Sequence, residues 1–172
     1  MSELRRYSLW LLPDDIATER FAAIIDSLSG QYYGPRFAPH VTLLGWVTGP
    51  EDDLVKRTKR LAEQAHTLPL RAQALAGEAY YFRCFYLKLE ETAELLRLHE
   101  QASALFRGGY ASAYLPHLSL VYGHLPPAEK ARLRRQVHDD LPTKFAADRI
   151  QLIRITVSVQ DWRAVANCPL TA

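Results

Sequence analysis

Pro39-His40-Val41-Thr42-Leu43-Leu44-Gly45 and Pro116-His117-Leu118-Ser119-Leu120-Val121-Tyr122-Gly123 are two copies of one phrase. Each has a proline, a histidine, an aliphatic residue, a hydroxyl residue, a leucine, a second aliphatic residue and a glycine. The second copy has one extra residue, Tyr122, before its glycine. The histidines lie 77 positions apart, close to half of a 172-residue chain. Both copies read as strands, in which successive side chains point to opposite faces. His40 and Thr42 then share one face, and Val41 and Leu43 the other. His117 and Ser119 likewise face away from Leu118 and Leu120. The aliphatic faces can enter a core while each imidazole stands beside a hydroxyl. Pro39 and Pro116 lack a backbone donor, which suits the first position of a strand. Each copy follows a candidate helix and loop, as a duplicated strand–helix–strand lobe would leave it. Two pseudo-symmetric lobes would bring the two His-hydroxyl pairs across one cleft.

Outward from these phrases the chain alternates strands and helices. Tyr7–Leu12 reads as a buried strand stopped by Pro13. Asp14 is a candidate N-cap for a helix that buries Phe21, Ile24, Ile25 and Leu28 and ends at Gly30. Val41–Val47 is the next strand. After Gly49-Pro50, the acidic Glu51-Asp52-Asp53 suits a helix N-terminus, with Leu54, Thr58, Leu61 and Ala65 on one face. Leu70–Ala79 and Tyr81–Leu89 read as strands joined near Gly77-Glu78, and Thr92–Phe106 as a helix ended by Gly108-Gly109. Leu118–Tyr122 is a strand. Pro126-Pro127-Ala128-Glu129 opens a helix reaching about His138, Ile150–Val159 alternates as a strand, and Trp162–Cys168 is another candidate. No linker divides the chain. The expectation is one α+β domain over residues 1–172.

Hydrophobic residues at 48% and charged residues at 23% supply a core and exclude disorder. The net charge of +2 gives no electrostatic footprint for long duplex nucleic acid. No apolar stretch approaches a membrane span, and the start lacks a cleavage signal, so a cytoplasmic monomer without membrane partners is expected. Cys84 and Cys168 cannot form a disulfide framework or a zinc site by themselves; one bridge between them is open.

A cleft with two imidazoles suits phosphodiester hydrolysis without a metal. One ring takes a proton from water and the other gives one to the leaving oxygen. Histidine titrates nearest neutrality, so both forms are accessible there. Thr42 and Ser119 can donate to the non-bridging oxygens, where charge grows in the transition state. A strained cyclic phosphate is the natural substrate. A single His-x-Thr in a strand is a common structural feature, but two copies in the same setting are not.

On these residues the chain resembles the two-histidine (2H) phosphoesterase superfamily, and within it the cyclic phosphodiesterases of plant and yeast type. Tyr7-Ser8-Leu9-Trp10-Leu11-Leu12-Pro13, Gly34-Pro35-Arg36-Phe37-Ala38-Pro39-His40 and Tyr81-Phe82-Arg83-Cys84-Phe85 share that resemblance, while the intervening helices match poorly. The resemblance implies a bilobal α+β fold, two pseudo-symmetric lobes of antiparallel sheet lining a central cleft with helices outside. It also implies hydrolysis of nucleoside 2′,3′-cyclic phosphates and of ADP-ribose 1″,2″-cyclic phosphate, with no cofactor. Carried over by position, His40 is the general acid, His117 the general base, Thr42 and Ser119 bind phosphate, and Tyr122 positions water. The near-symmetric lobes leave the acid and base labels interchangeable. Relatives acting on RNA (a 2′,5′-ligase-like or 3′-end-processing phosphodiesterase) and a non-catalytic nucleotide-binding module are the alternatives, with RNA 3′ ends as partner in the former.

Trp10 is a candidate substrate contact by stacking, with core packing as the structural alternative. Arg36, four residues before His40, is a candidate phosphate contact, with an exposed loop arginine as the commoner case. Tyr80-Tyr81-Phe82 could also reach the cleft, but aromatics on a strand are usually packing, and that reading is preferred. His99, on the apolar stripe of its helix, reads as a hydrogen-bonded structural histidine. His66, His124 and His138 lack partners at metal-ligand spacing. The basic run Lys130, Arg132, Arg134 and Arg135 reads as a solvated face, with guidance of an anionic ligand as the alternative.

Overall fold

The computed structural model describes residues 5–107 and 113–172. Among them the chain forms β1 (Arg6–Pro13), α1 (Asp15–Tyr32), β2 (Val41–Thr48), α2 (Glu51–Glu63), β3 (Leu68–Ala76), β4 (Phe85–Leu89), α3 (Ala93–Leu105), β5 (His117–Val121), α4 (Pro127–Val137), β6 (Lys144–Ile155) and β7 (Arg163–Pro169). Short 3-10 turns stand at Tyr81–Arg83 and Val159–Asp161. The expected α+β class is found. The Gly108-Gly109 stop expected for α3 lies outside the described residues.

All strands pair antiparallel, in the order β1-β2-β5-β4-β3-β6-β7, and β1 also pairs with β6. Two groups of strands, β2-β1-β6-β7 and β5-β4-β3-β6, therefore share β6. That strand has 12 residues, enough to pair Lys144–Ala147 with β3 and the remainder with β1 and β7. The groups meet again where Val41 faces Leu118. The two lobes are thus halves of one sheet, joined at both places, and each motif strand comes from a different half.

Alternation decides which face is dry. Val41, Leu43, Leu118 and Leu120 are all fully buried in one connected hydrophobic core. The helices close the core side: α1 packs on β1 and β5, α2 on β6 and β7, and α3 on β2. Asp14 fixes the start of α1 with both carboxylate oxygens. One accepts from Ala17 N–H and the other from Ala146 N–H of β6, each at 3.0 Å. The helix runs past Gly30 to Tyr32 and stops at Tyr33, in the left-handed region at φ 53°. A helical glycine costs only about 1 kcal/mol, which the burial of Phe21, Ile25 and Leu28 overrides.

Two further expectations are corrected. Tyr81–Arg83 is a turn and not the start of a strand, because Gly77 lets the chain fold back on itself. A Cβ at Gly77 would lie 2.5 Å from the Cys84 carbonyl oxygen and 2.9 Å from Lys130 Cδ. Glu78 N–H then donates to the Arg83 carbonyl at 2.9 Å. The strand expected at Ile150–Val159 begins earlier, at Lys144, and ends at Ile155, since its first residues are claimed by β3. Cys84 and Cys168 are buried free thiols. Among the described residues no helix is long and apolar enough to cross a membrane.

Candidate active site

His40 and His117 are held in the same way. Nδ1 of His40 lies 2.7 Å from the Ala38 carbonyl, and Nδ1 of His117 lies 2.8 Å from the Leu115 carbonyl. A carbonyl oxygen can only accept, so each Nδ1 carries the hydrogen and each neutral ring keeps its lone pair on Nε2. In both copies the carbonyl stands two residues before the histidine, with the proline between.

Both rings line one cleft of about 360 Å³, together with Thr42, Ser119, Trp10 and Tyr122. The register explains the gathering. With Val41 opposite Leu118 in an antiparallel pair, the next positions set His40 opposite Ser119 and Thr42 opposite His117. Each imidazole thus neighbours the hydroxyl of its own strand and the hydroxyl of the other strand.

Aromatic rings wall this floor. Trp10 stacks on His40, and its indole N–H donates to Ser8 Oγ at 3.0 Å, which fixes the plane of the ring. Phe37 stacks on Tyr122 with centroids 3.8 Å apart. Tyr122 Oη stands 3.5 Å from Nε2 of His40. A bulge in β2 sets Gly45 and Trp46 opposite Ser8 and carries both residues into the cleft wall, with Trp46 at φ 56°.

Burial sets the protonation. His40, only 6% exposed, is pushed down to about 4 from 6.5 by desolvation; the Ala38 carbonyl opposes this and the charge of His117 adds to it. His117 is also lowered, first by burial, then by Arg83, against the raising effects of the Leu115 carbonyl and Glu78. Burial raises the Tyr122 phenol well above its ordinary value, so it remains a proton donor. Ser119 Oγ donates to the Phe82 carbonyl at 2.7 Å, so its proton must turn away from that carbonyl before it can serve an anion.

The family model described as "Cyclic phosphodiesterase-like protein" matches residues 6–170. The chain belongs to the cyclic phosphodiesterase-like protein family. It is therefore a two-histidine phosphoesterase by superfamily. A cyclic phosphodiesterase of Arabidopsis thaliana is 27% identical, with 99% of each chain covered. A putative phosphoesterase of Geobacillus kaustophilus is 30% identical over 67% of this chain and 69% of its own. Among solved structures, TT0787 of Thermus thermophilus has a TM-score of 0.63 at 17% identity, with 96% of this chain and 97% of that one covered. E. coli LigT complexed with phosphate has a TM-score of 0.59 at 14% identity, covering 99% and 100%. These two likenesses establish the bilobal fold.

Within this cyclic phosphodiesterase-like fold, six of the seven candidate residues line the cleft: His40, His117, Thr42, Ser119, Tyr122 and Trp10. Arg36 does not. Its guanidinium faces Asp26 at 3.8 Å on an open surface, 72% exposed, so the candidate phosphate contact is corrected to a solvated loop arginine. His99 is hydrogen-bonded as expected, through Nδ1 to the Leu43 carbonyl at 2.8 Å, and stacks on Tyr114. Tyr80 and Phe82, read as packing, instead form cleft wall with Arg83 and Trp162. For Phe82 and Arg83 the available signal was the quoted Tyr81–Phe85 block; for Trp162, distant in sequence from both motifs, there was none.

Proposed function

We propose that this family member hydrolyses nucleoside 2′,3′-cyclic phosphates and ADP-ribose 1″,2″-cyclic phosphate to phosphomonoesters, without a metal. The observation that carries the reading is the matched pair of imidazoles lining one cleft, each tied through Nδ1 and each with Nε2 unclaimed by a backbone partner. Water attacks phosphorus and loses a proton to one Nε2. The phosphorus bond to one ring oxygen breaks, and that oxygen takes a proton from the other ring. The product is an open monoester, and the two rings have exchanged proton states.

By the resemblance, His40 is the acid and His117 the base. Both rings are neutral in the free protein at pH 7 because burial lowers both. The acid therefore takes up its proton with the substrate, whose anionic phosphate favours the charged imidazole. Thr42 and Ser119 are the proposed donors to the non-bridging oxygens. Tyr122, with its hydroxyl beside His40, orients the groups at that end of the cleft, water included. The volume suits a mononucleotide, and Phe82 and Trp162, with ring centroids 5.8 Å apart, offer apolar surface to a base. Structures of LigT complexed with phosphate and with 3′-AMP support the reading for this fold.

The test is a panel of cyclic phosphates followed by phosphorus NMR, with and without EDTA. Ring-opened monoesters at undiminished rate in EDTA are expected. A protein that opens no cyclic phosphate in the panel does not have this function, and a strict metal requirement overturns the mechanism.

A further inference from the structure

Among the described residues lining the cleft, Arg83 alone carries a permanent charge. Its guanidinium is fixed on two sides. Nη2 is bound to Glu78 at 2.9 Å, and the Tyr80 ring covers it with Cζ 5.3 Å from the centroid. Its Nε–H, by contrast, is buried with no hydrogen-bond partner among the described residues. A buried donor without an acceptor is rare and costly, and such a group calls for an explanation. Arg83 also borders a smaller hollow of about 80 Å³, and Thr42 and His117 border both spaces. Arg83 therefore belongs to the His117–Thr42 end of the cleft, near enough for its charge to act on His117.

We propose that Arg83 is a substrate-binding residue whose Nε–H donates to a non-bridging oxygen of the phosphate held between His40 and His117. The inference rests on the reading of this cleft as a phosphate site, and adds to it the source of fixed positive charge. The need for that charge is plain from the other groups. Both imidazoles are neutral before substrate arrives, and Ser119 must first release the Phe82 carbonyl. Thr42, Ser119 and Tyr122 offer an anion neutral donors only. Arg83 supplies a donor already desolvated and already oriented by Glu78 and Tyr80, so little ordering is lost on binding.

The experiment compares adenosine 2′-phosphate with adenosine as ligands by titration calorimetry, on the parent protein and on Arg83→Gln. The variant should bind adenosine 2′-phosphate about 10- to 100-fold more weakly, the usual worth of one charge-assisted hydrogen bond, and adenosine equally well. Equal affinity for adenosine 2′-phosphate in parent and variant overturns the inference. So does a matched loss for both ligands, which is the mark of a structural role, and so does a parent protein that does not bind adenosine 2′-phosphate. If Arg83→Gln does not fold, Arg83→Lys serves instead, since it keeps a cation near Glu78 but has no Nε–H in the guanidinium plane. A loss confined to the phosphorylated ligand supports the inference, and unchanged binding overturns it. Arg83-dependent binding in a protein that opens no cyclic phosphate would leave this inference standing while the proposed reaction fell.

Discussion

The indole of Trp10 lies flat on the imidazole of His40, with ring centroids 3.5 Å apart and planes 9° from parallel. Trp10 is 4% exposed, so one face of the candidate acid is sealed from water by carbon. The stacking proposed from sequence is therefore met by a histidine. The indole keeps His40 dry, and dryness is the leading cause of its lowered pKa.

Trp10→Ala should admit water to that face. The His40 pKa is expected to rise from about 4 toward 6.5, by one unit or more, as read from the imidazole carbon-bound proton in an NMR titration. The fold should lose about 3–5 kcal/mol as well, as for other buried tryptophans. An unmoved His40 would show that something other than the indole excludes solvent.

His40→Ala and His117→Ala should each slow hydrolysis of a 2′,3′-cyclic nucleotide by about 10²–10⁴-fold. The two variants should part on a diester whose leaving group is p-nitrophenol, which departs without a proton. Activity should return to the variant lacking the acid, His40→Ala, and not to His117→Ala. Rescue of His117→Ala in its place would exchange the two roles.

Because both free rings titrate below 6.5, the kcat/KM profile should peak on the acid side of that value. The kcat profile should lie at higher pH, because bound phosphate restores affinity for the proton. Stability follows the same linkage. A histidine lowered on folding binds more protons when unfolded, so its contribution is complete above pH 6.5 and is lost as the pH falls to about 4. For His40 that loss is on the order of 3 kcal/mol. Denaturant unfolding of His40→Asn across this range should show a flatter acid limb than the parent; parallel curves would contradict the assignment.

Gly77→Ala should destabilise the fold by about 1–3 kcal/mol, because its methyl group meets the Cys84 carbonyl as well as the flexible Lys130 chain. The turn that follows carries Tyr80, Phe82 and Arg83, so KM should rise more than kcat falls. A thermal melt and steady-state kinetics on one preparation check both parts. An unshifted melt would mean that the turn accommodates a side chain.

The duplicated phrase by itself determined a good deal. Alternation alone put Val41, Leu43, Leu118 and Leu120 in the core and His40, Thr42, His117 and Ser119 on the other face, because the period of a strand is local and rigid. The helices were legible for a similar reason, since Phe21, Ile25 and Leu28 share a face through a spacing that the backbone enforces. The tertiary structure decided what depends on partners far along the chain. Tyr81–Arg83 has the composition of a strand, yet Gly77 and the Glu78–Arg83 hydrogen bond make it a turn. Lys144–Ala147 pairs because β3 lies beside it, and nothing within the segment says so. Trp162 and Arg83 enter the cleft, and Arg36 stays out, for the same reason: which side chains meet across a sheet is set by register and long-range packing, and a local pattern carries neither.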